Sequence, residues 1–214
     1  MSSIATDTPA RESHTRPSIY IAFIPWILFS VVSRHDTLAA ATIVALIAAI
    51  AVAAPGIAYG RPKLLELGAV FTFAAFTSAA LVVDPAGGDF LVRYARAIAA
   101  GALALIALLS LLGTPFTEQY ARETVPRELW GSPRFRQVNR RLTLTWACVF
   151  VTMVPSHLIA GALDTQRANT IFNWIVPIVL IVWAAKRTEA VTAAADDDRS
   201  ERQAGAAALG PRGA

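Results

Sequence analysis

Cysteine is almost missing: Cys148 is the only one in 214 residues, which excludes an intrachain disulfide and any cysteine-cluster metal site. Charge is scarce too. Asp, Glu, Lys and Arg make up 16% of the chain, against roughly 25% in soluble domains, too little to cover a water-facing surface. There is no H-E-x-x-H pair, no glycine-rich phosphate loop, no nucleophile elbow and no spaced carboxylate pair within an apolar run. His14, His35 and His157 are too scattered to ligate one metal, and only His157 lies in an apolar run. These gaps argue against an enzyme and leave no expected metal or cofactor.

What the chain has is apolar length. Hydrophobic residues reach 55% and the mean hydropathy is +0.50. A helix needs roughly 20 apolar residues to cross a hydrocarbon core of about 30 Å. Six runs approach or meet that length, at residues 18–33, 37–54, 64–83, 91–112, 142–163 and 169–185. They are separated by proline, glycine and charge, as at Pro55, Gly56, Gly60 and Pro62. The expected fold is an all-α polytopic membrane protein with a six-helix transmembrane domain at 18–187. Polar tails at 1–17 and 188–214 are expected to be disordered and cytosolic.

Orientation follows from the basic residues. With the amino terminus in the cytosol, one side receives Arg11, Arg16, Arg61, Lys63, six arginines from Arg122 to Arg141, and the five Lys and Arg from Lys186 onward. Fifteen of the nineteen therefore fall on that side, and Arg34, Arg93, Arg96 and Arg167 on the other. Basic residues are retained in cytoplasmic loops, so both termini are expected on the cytosolic side of the membrane. Tyr20, Tyr59, Tyr94, Trp130 and Trp183 lie near span ends, as in an interfacial aromatic belt.

The long polar segment 114–141 separates the fourth and fifth runs. Thr114 with Pro115 forms a cap-and-proline start, and Phe116 and Tyr120 follow at helical spacing. Pro126 opens a second turn carrying Leu129 and Trp130, and Ser132 with Pro133 repeats the device ahead of Phe135. The expectation is an interfacial amphipathic helix pair between helices 4 and 5. Phe116, Tyr120, Trp130 and Phe135 would sink among acyl chains, with Arg134, Arg136, Arg140 and Arg141 on the polar sides; Asn139 belongs to the same candidate lipid-interface or partner loop. Anionic lipid headgroups are the expected partner. Glu118, Glu123 and Glu128 interleave with the arginines, which argues against nucleic acid.

The pattern PFTxxYARxxVPxxxWxxPxFxxxNxxxTxxW, read from Pro115 to Trp146, resembles one found in uncharacterised bacterial multi-span inner-membrane proteins. It is also distantly similar to the intracellular septation protein A group. The resemblance covers about a sixth of the chain. It implies a bacterial inner-membrane protein, and the second likeness implies a role in cell-envelope maintenance.

Within the spans, polar side chains are costly and draw functional attention. His157 follows Pro155 in the fifth run, and Asn173 precedes Pro177 in the sixth. Arg93 and Arg96 enter the fourth run from the same side, with Asp84 and Asp89 as natural partners. These four make a candidate polar intramembrane site. The expected function is a non-enzymatic membrane protein with a structural or assembly role in the cell envelope. The alternative is a small-solute or ion transporter with an outward-facing polar site.

Overall fold

The computed structural model describes residues 19–33, 38–83 and 85–208, all in helices or short connections. A 3₁₀ turn, Ile19–Phe23, leads into α1 (Ile24–Val32), followed by α2 (Leu38–Ala58), α3 (Leu64–Val82) and α4 (Pro85–Ser110). The short α5 (Phe116–Ala121) and a 3₁₀ turn at Arg127–Leu129 precede the long α6 (Pro133–Leu163). The chain then turns into α7 (Gln166–Thr170), a π-helical turn at Ile171–Ile175, and α8 (Val176–Ala208). The expected tail at 1–17 lies outside the described residues.

Among the described residues, five helical stretches are long and apolar enough to cross a membrane: α2, α3, residues 89–110 of α4, α6, and the run from 166 to 195. The chain is an all-α, multi-pass membrane protein. The first apolar run differs from the rest. Ile19–Val32 holds 14 residues, five of them in a 3₁₀ turn, and spans about 23 Å at the usual helical rises, short of a ~30 Å core.

Ends are set by recognisable devices. Gly60, at φ 65°, takes the left-handed position after α2. Its N–H bonds Ile57 O, and that of Arg61 bonds Gly56 O, which is a Schellman closure. Ser132 Oγ accepts the Phe135 N–H at 3.2 Å, with Pro133 at the first helical position. The Ser-Pro device therefore starts α6 nine residues before its apolar run. Thr114 does not cap α5, contrary to expectation. The Phe116 N–H is taken by Ser110 Oγ, at 3.1 Å.

Small residues and rings share the interior. Ala41, Ala45, Ala49 and Ala53 form a buried stripe at four-residue spacing on α2, so the backbones of its neighbours approach closely. Phe29 lies 5.4 Å from both Phe73 and Phe76, Trp26 lies 4.9 Å from Phe73, and Trp146 bridges Phe23 and Phe150. The outer surface carries Ile47, Phe71, Leu105 and Val179, an apolar coat suited to lipid. Cys148 is exposed on the same coat.

Two corrections concern the polar segments. No amphipathic helix pair forms between α4 and α6: the segment holds one six-residue helix and a single 3₁₀ turn. Phe116 and Tyr120 are buried against the bundle and do not face acyl chains. The carboxyl-terminal region is also helical beyond 187, since α8 continues to Ala208, where disorder was expected from residue 188. Arg134 at the start of α6 pairs with Asp198 of α8.

Candidate functional site: a polar cleft between helix ends

The connections 59–63 and 111–132 meet at one end of the bundle. Gln119 Oε1 accepts the Leu64 N–H at 2.7 Å, and Lys63 Nζ lies 2.8 Å from Glu123. The opposite end is formed by the close of α1, the start of α4, and the turn from α6 to α7. There the chain leaves a cleft of about 770 Å³.

His157 and Asn173 meet beside this cleft. His157 Nδ1 and Asn173 Oδ1 are 2.6 Å apart, and Asn173 Nδ2 donates to Asn169 Oδ1 at 2.9 Å. An amide oxygen only accepts, so in this arrangement His157 donates from Nδ1. The local cause is Pro177. It has no N–H for the carbonyl of Asn173 four residues earlier, and the helix widens there: the Val176 N–H reaches Ile171 O, five residues back. The neighbouring Phe172 carbonyl accepts from Ser156 Oγ at 2.7 Å. Two polar contacts thus tie α6 to the widened turn.

Arg93 and Arg96 diverge. Arg93 Nη2 lies 3.0 Å from Asp164 Oδ2. Asp84, one expected partner, lies outside the described residues. Asp164 closes α6 in a left-handed conformation, φ 46°, which Asp tolerates better than most residues. Thr165 then caps α7 by accepting the Ala168 N–H at 3.2 Å. Arg96 turns inward. Its Nη2 donates to Ser30 O at 2.9 Å and Ser33 O at 2.8 Å, carbonyls at the C-terminal end of α1, where the helix dipole favours a cation. Its guanidinium lies 5.8 Å from the centre of the Trp174 ring. Its Nε is buried with no hydrogen-bond partner.

The cleft wall therefore includes Arg93, Arg96, Asp164, Asn169, Asn173 and Trp174. Gly161 sets its floor: a Cβ there would sit 2.8 Å from the Tyr94 ring and 3.0 Å from Arg93 O. Asp164, Asn169 and Trp174 were not singled out from the sequence. Among the described residues no group of three or more His, Cys, Asp or Glu is placed to hold a metal.

At the α5 end, the loop candidates fall into two sets. Phe116, Tyr120, Phe135 and Asn139 are buried. Asn139 Nδ2 donates to Phe135 O, and its backbone carbonyl accepts from Thr117 Oγ1 at 2.8 Å. Tyr120 donates to Glu66 Oε1 at 3.4 Å. Burial, and then the Glu66 charge, push its hydroxyl above the ordinary tyrosine value. Trp130 is half-buried, bonds Val125 O at 2.8 Å, and has Arg122 and Arg127 over its ring. Arg136 and Arg140 are exposed and, with Arg122, border a smaller hollow of about 240 Å³.

No family model, curated protein or solved structure matches the chain.

Proposed function

We propose that the chain is a six-span protein of a bacterial inner membrane, with both termini cytosolic. The cleft is read as an outward-facing site that admits a small solute, as in a small-solute or ion transporter without enzymatic activity. The carrying observation is the polar cleft itself, with a half-buried arginine on its wall at the end away from α5. Its volume falls within the usual range for small-molecule sites.

Charge supports the orientation. The segments carrying Arg61 and Lys63 and the arginines of the 114–141 loop share one end, and that concentration is typical of the cytosolic side. This reading of α2 to α8 does not depend on the first run, because only Arg11 and Arg16 change sides if that run fails to cross. The assembly role draws less support. It rests on the resemblance over residues 115–146, and Phe116 and Tyr120 of that stretch are spent on the bundle. Exposed Arg136, Arg140 and Arg141 would meet anionic headgroups, each contributing about 1 kcal/mol near such a surface.

The test is flux in reconstituted vesicles, read by light scattering against a panel of neutral, anionic and cationic solutes small enough for the cleft. Wild-type vesicles should admit at least one class faster than empty vesicles. Asn169→Trp, which fills the cleft, should return the rate to background. Flux equal to that of empty vesicles across the whole panel would defeat the transport reading.

A further inference from the structure

The cleft's wall also carries information about the charge of what enters it. A guanidinium has five N–H donors and accepts nothing. In Arg96, Nη2 donates twice, toward Ser30 O and Ser33 O. The buried Nε has no partner, and Arg96 makes no ion pair among the described residues. A half-buried cation with donors to spare gains from an oxyanion. Among the described residues of the wall, Arg93 already faces Asp164 at 3.0 Å, and the second carboxylate, Asp89, has a partner of its own. Trp174 gives the wall an aromatic face beside Arg96, and Val31, Val92 and Ala160 add apolar lining.

We propose that the cleft binds an oxyanion carried on a small apolar body, with Arg96 holding the carboxylate or phosphate and Trp174 covering the body. This rests on reading the cleft as a solute site and adds the ligand's charge class. The same chemistry has two sources, a dissolved organic anion or the headgroup of an anionic lipid. Arg96 also tethers α1 through two carbonyls, and that structural role alone predicts no preference between ligands of one shape and different charge.

The experiment measures protection of Arg96 from phenylglyoxal in the full-length protein in detergent, with modification followed at the Arg96 peptide by mass spectrometry. Benzoate, benzamide and benzylamine keep the ring and change the charge; phosphatidylglycerol in mixed micelles is the lipid arm. Benzoate at ten times its dissociation constant should slow modification about tenfold, by simple occupancy, while benzamide and benzylamine leave the rate unchanged. Protection by phosphatidylglycerol and not by benzoate would support the oxyanion and assign the lipid as its source. Equal protection by all three ring compounds, or protection by neither benzoate nor phosphatidylglycerol, would overturn the proposal. Because the measurement is made on wild type, it does not require any variant to fold.

A second arm uses ligand-induced thermal shifts. Arg96→Lys should keep a weakened preference for benzoate over benzamide, and Arg96→Met should lose it. An unchanged preference in Arg96→Met would also overturn the assignment. Vesicle flux that favours a neutral or cationic solute would sink the anion class while leaving the cleft as a solute site. Benzoate protection without any flux would do the reverse.

Discussion

Asn173 is held from two directions, by the His157 ring at 2.6 Å and the Asn169 amide at 2.9 Å. Hydrogen bonds between membrane helices are worth about 0.6 kcal/mol on average and up to roughly 1.7. A double-mutant cycle of His157→Ala and Asn173→Ala, read by unfolding in detergent, should therefore give a favourable coupling within that range. Zero coupling would mean that the two side chains do not support each other. Tyr120 offers a pH test. Its hydroxyl is held neutral in the fold above the ordinary tyrosine value, while the unfolded residue ionises near pH 10 (about). The unfolded chain then releases a proton that the fold retains, so stability is full below about pH 10 and falls as pH rises beyond it. Tyr120→Phe should show a shallower alkaline loss than wild type in the same melts. At this scale the sequence was informative about His157, Asn173, Arg93 and Arg96, because a polar side chain in an apolar run is conspicuous. It was silent about Trp174 and Asp164. A tryptophan among isoleucines looks the same whether it faces lipid or a cleft, and the Arg93–Asp164 pair depends on how α4 lies against the end of α6.

The π-helical turn at Ile171–Ile175 is the element that aligns the cleft's polar groups, and Pro177 accounts for it. Pro177→Ala would supply the missing N–H and allow a regular turn in which Asn173 O is bonded. That change of register should move Asn173 away from His157. The coupling measured in the cycle above should then vanish in the Pro177→Ala background. Persistence of the full coupling would separate the turn from the contact. The aromatic layer between α1 and α3 makes a different prediction. Phe73 is fully buried and touches Trp26, Phe29 and Phe76. Phe73→Ala should cost about 3 kcal/mol or more by loss of contacts and an unfilled cavity, measurable by denaturant titration in mixed micelles. A cost below about 1 kcal/mol would show that the layer relaxes into the gap. Elements were legible where a local device sets them, as at Ser132 and Pro133 or Gly60. The 114–141 segment was misread because Phe116 and Tyr120 at helical spacing look alike for a helix lying on lipid and a helix plugged into its own bundle. Of its anchors, Ser110 sits in the preceding apolar run and Asn139 in the next helix, both outside α5's own pattern.

At the scale of the whole molecule, five long apolar helices were plain from run length alone, and the first run, Ile19–Val32, is the one that length leaves short. The core beneath the cleft could not be read in the same way, since alanine stripes and scattered aromatics do not reveal which helices they join. The central claim is that the cleft end faces outward and the α5 end faces the cytosol. Gln166 and Arg127 are exposed at the two ends. Single cysteines placed there, in a Cys148→Ser background, can be labelled in intact cells with a membrane-impermeant maleimide. The account predicts that Gln166→Cys is labelled from outside and Arg127→Cys only after the cells are opened. Labelling of Arg127→Cys in intact cells, with Gln166→Cys protected, would contradict it.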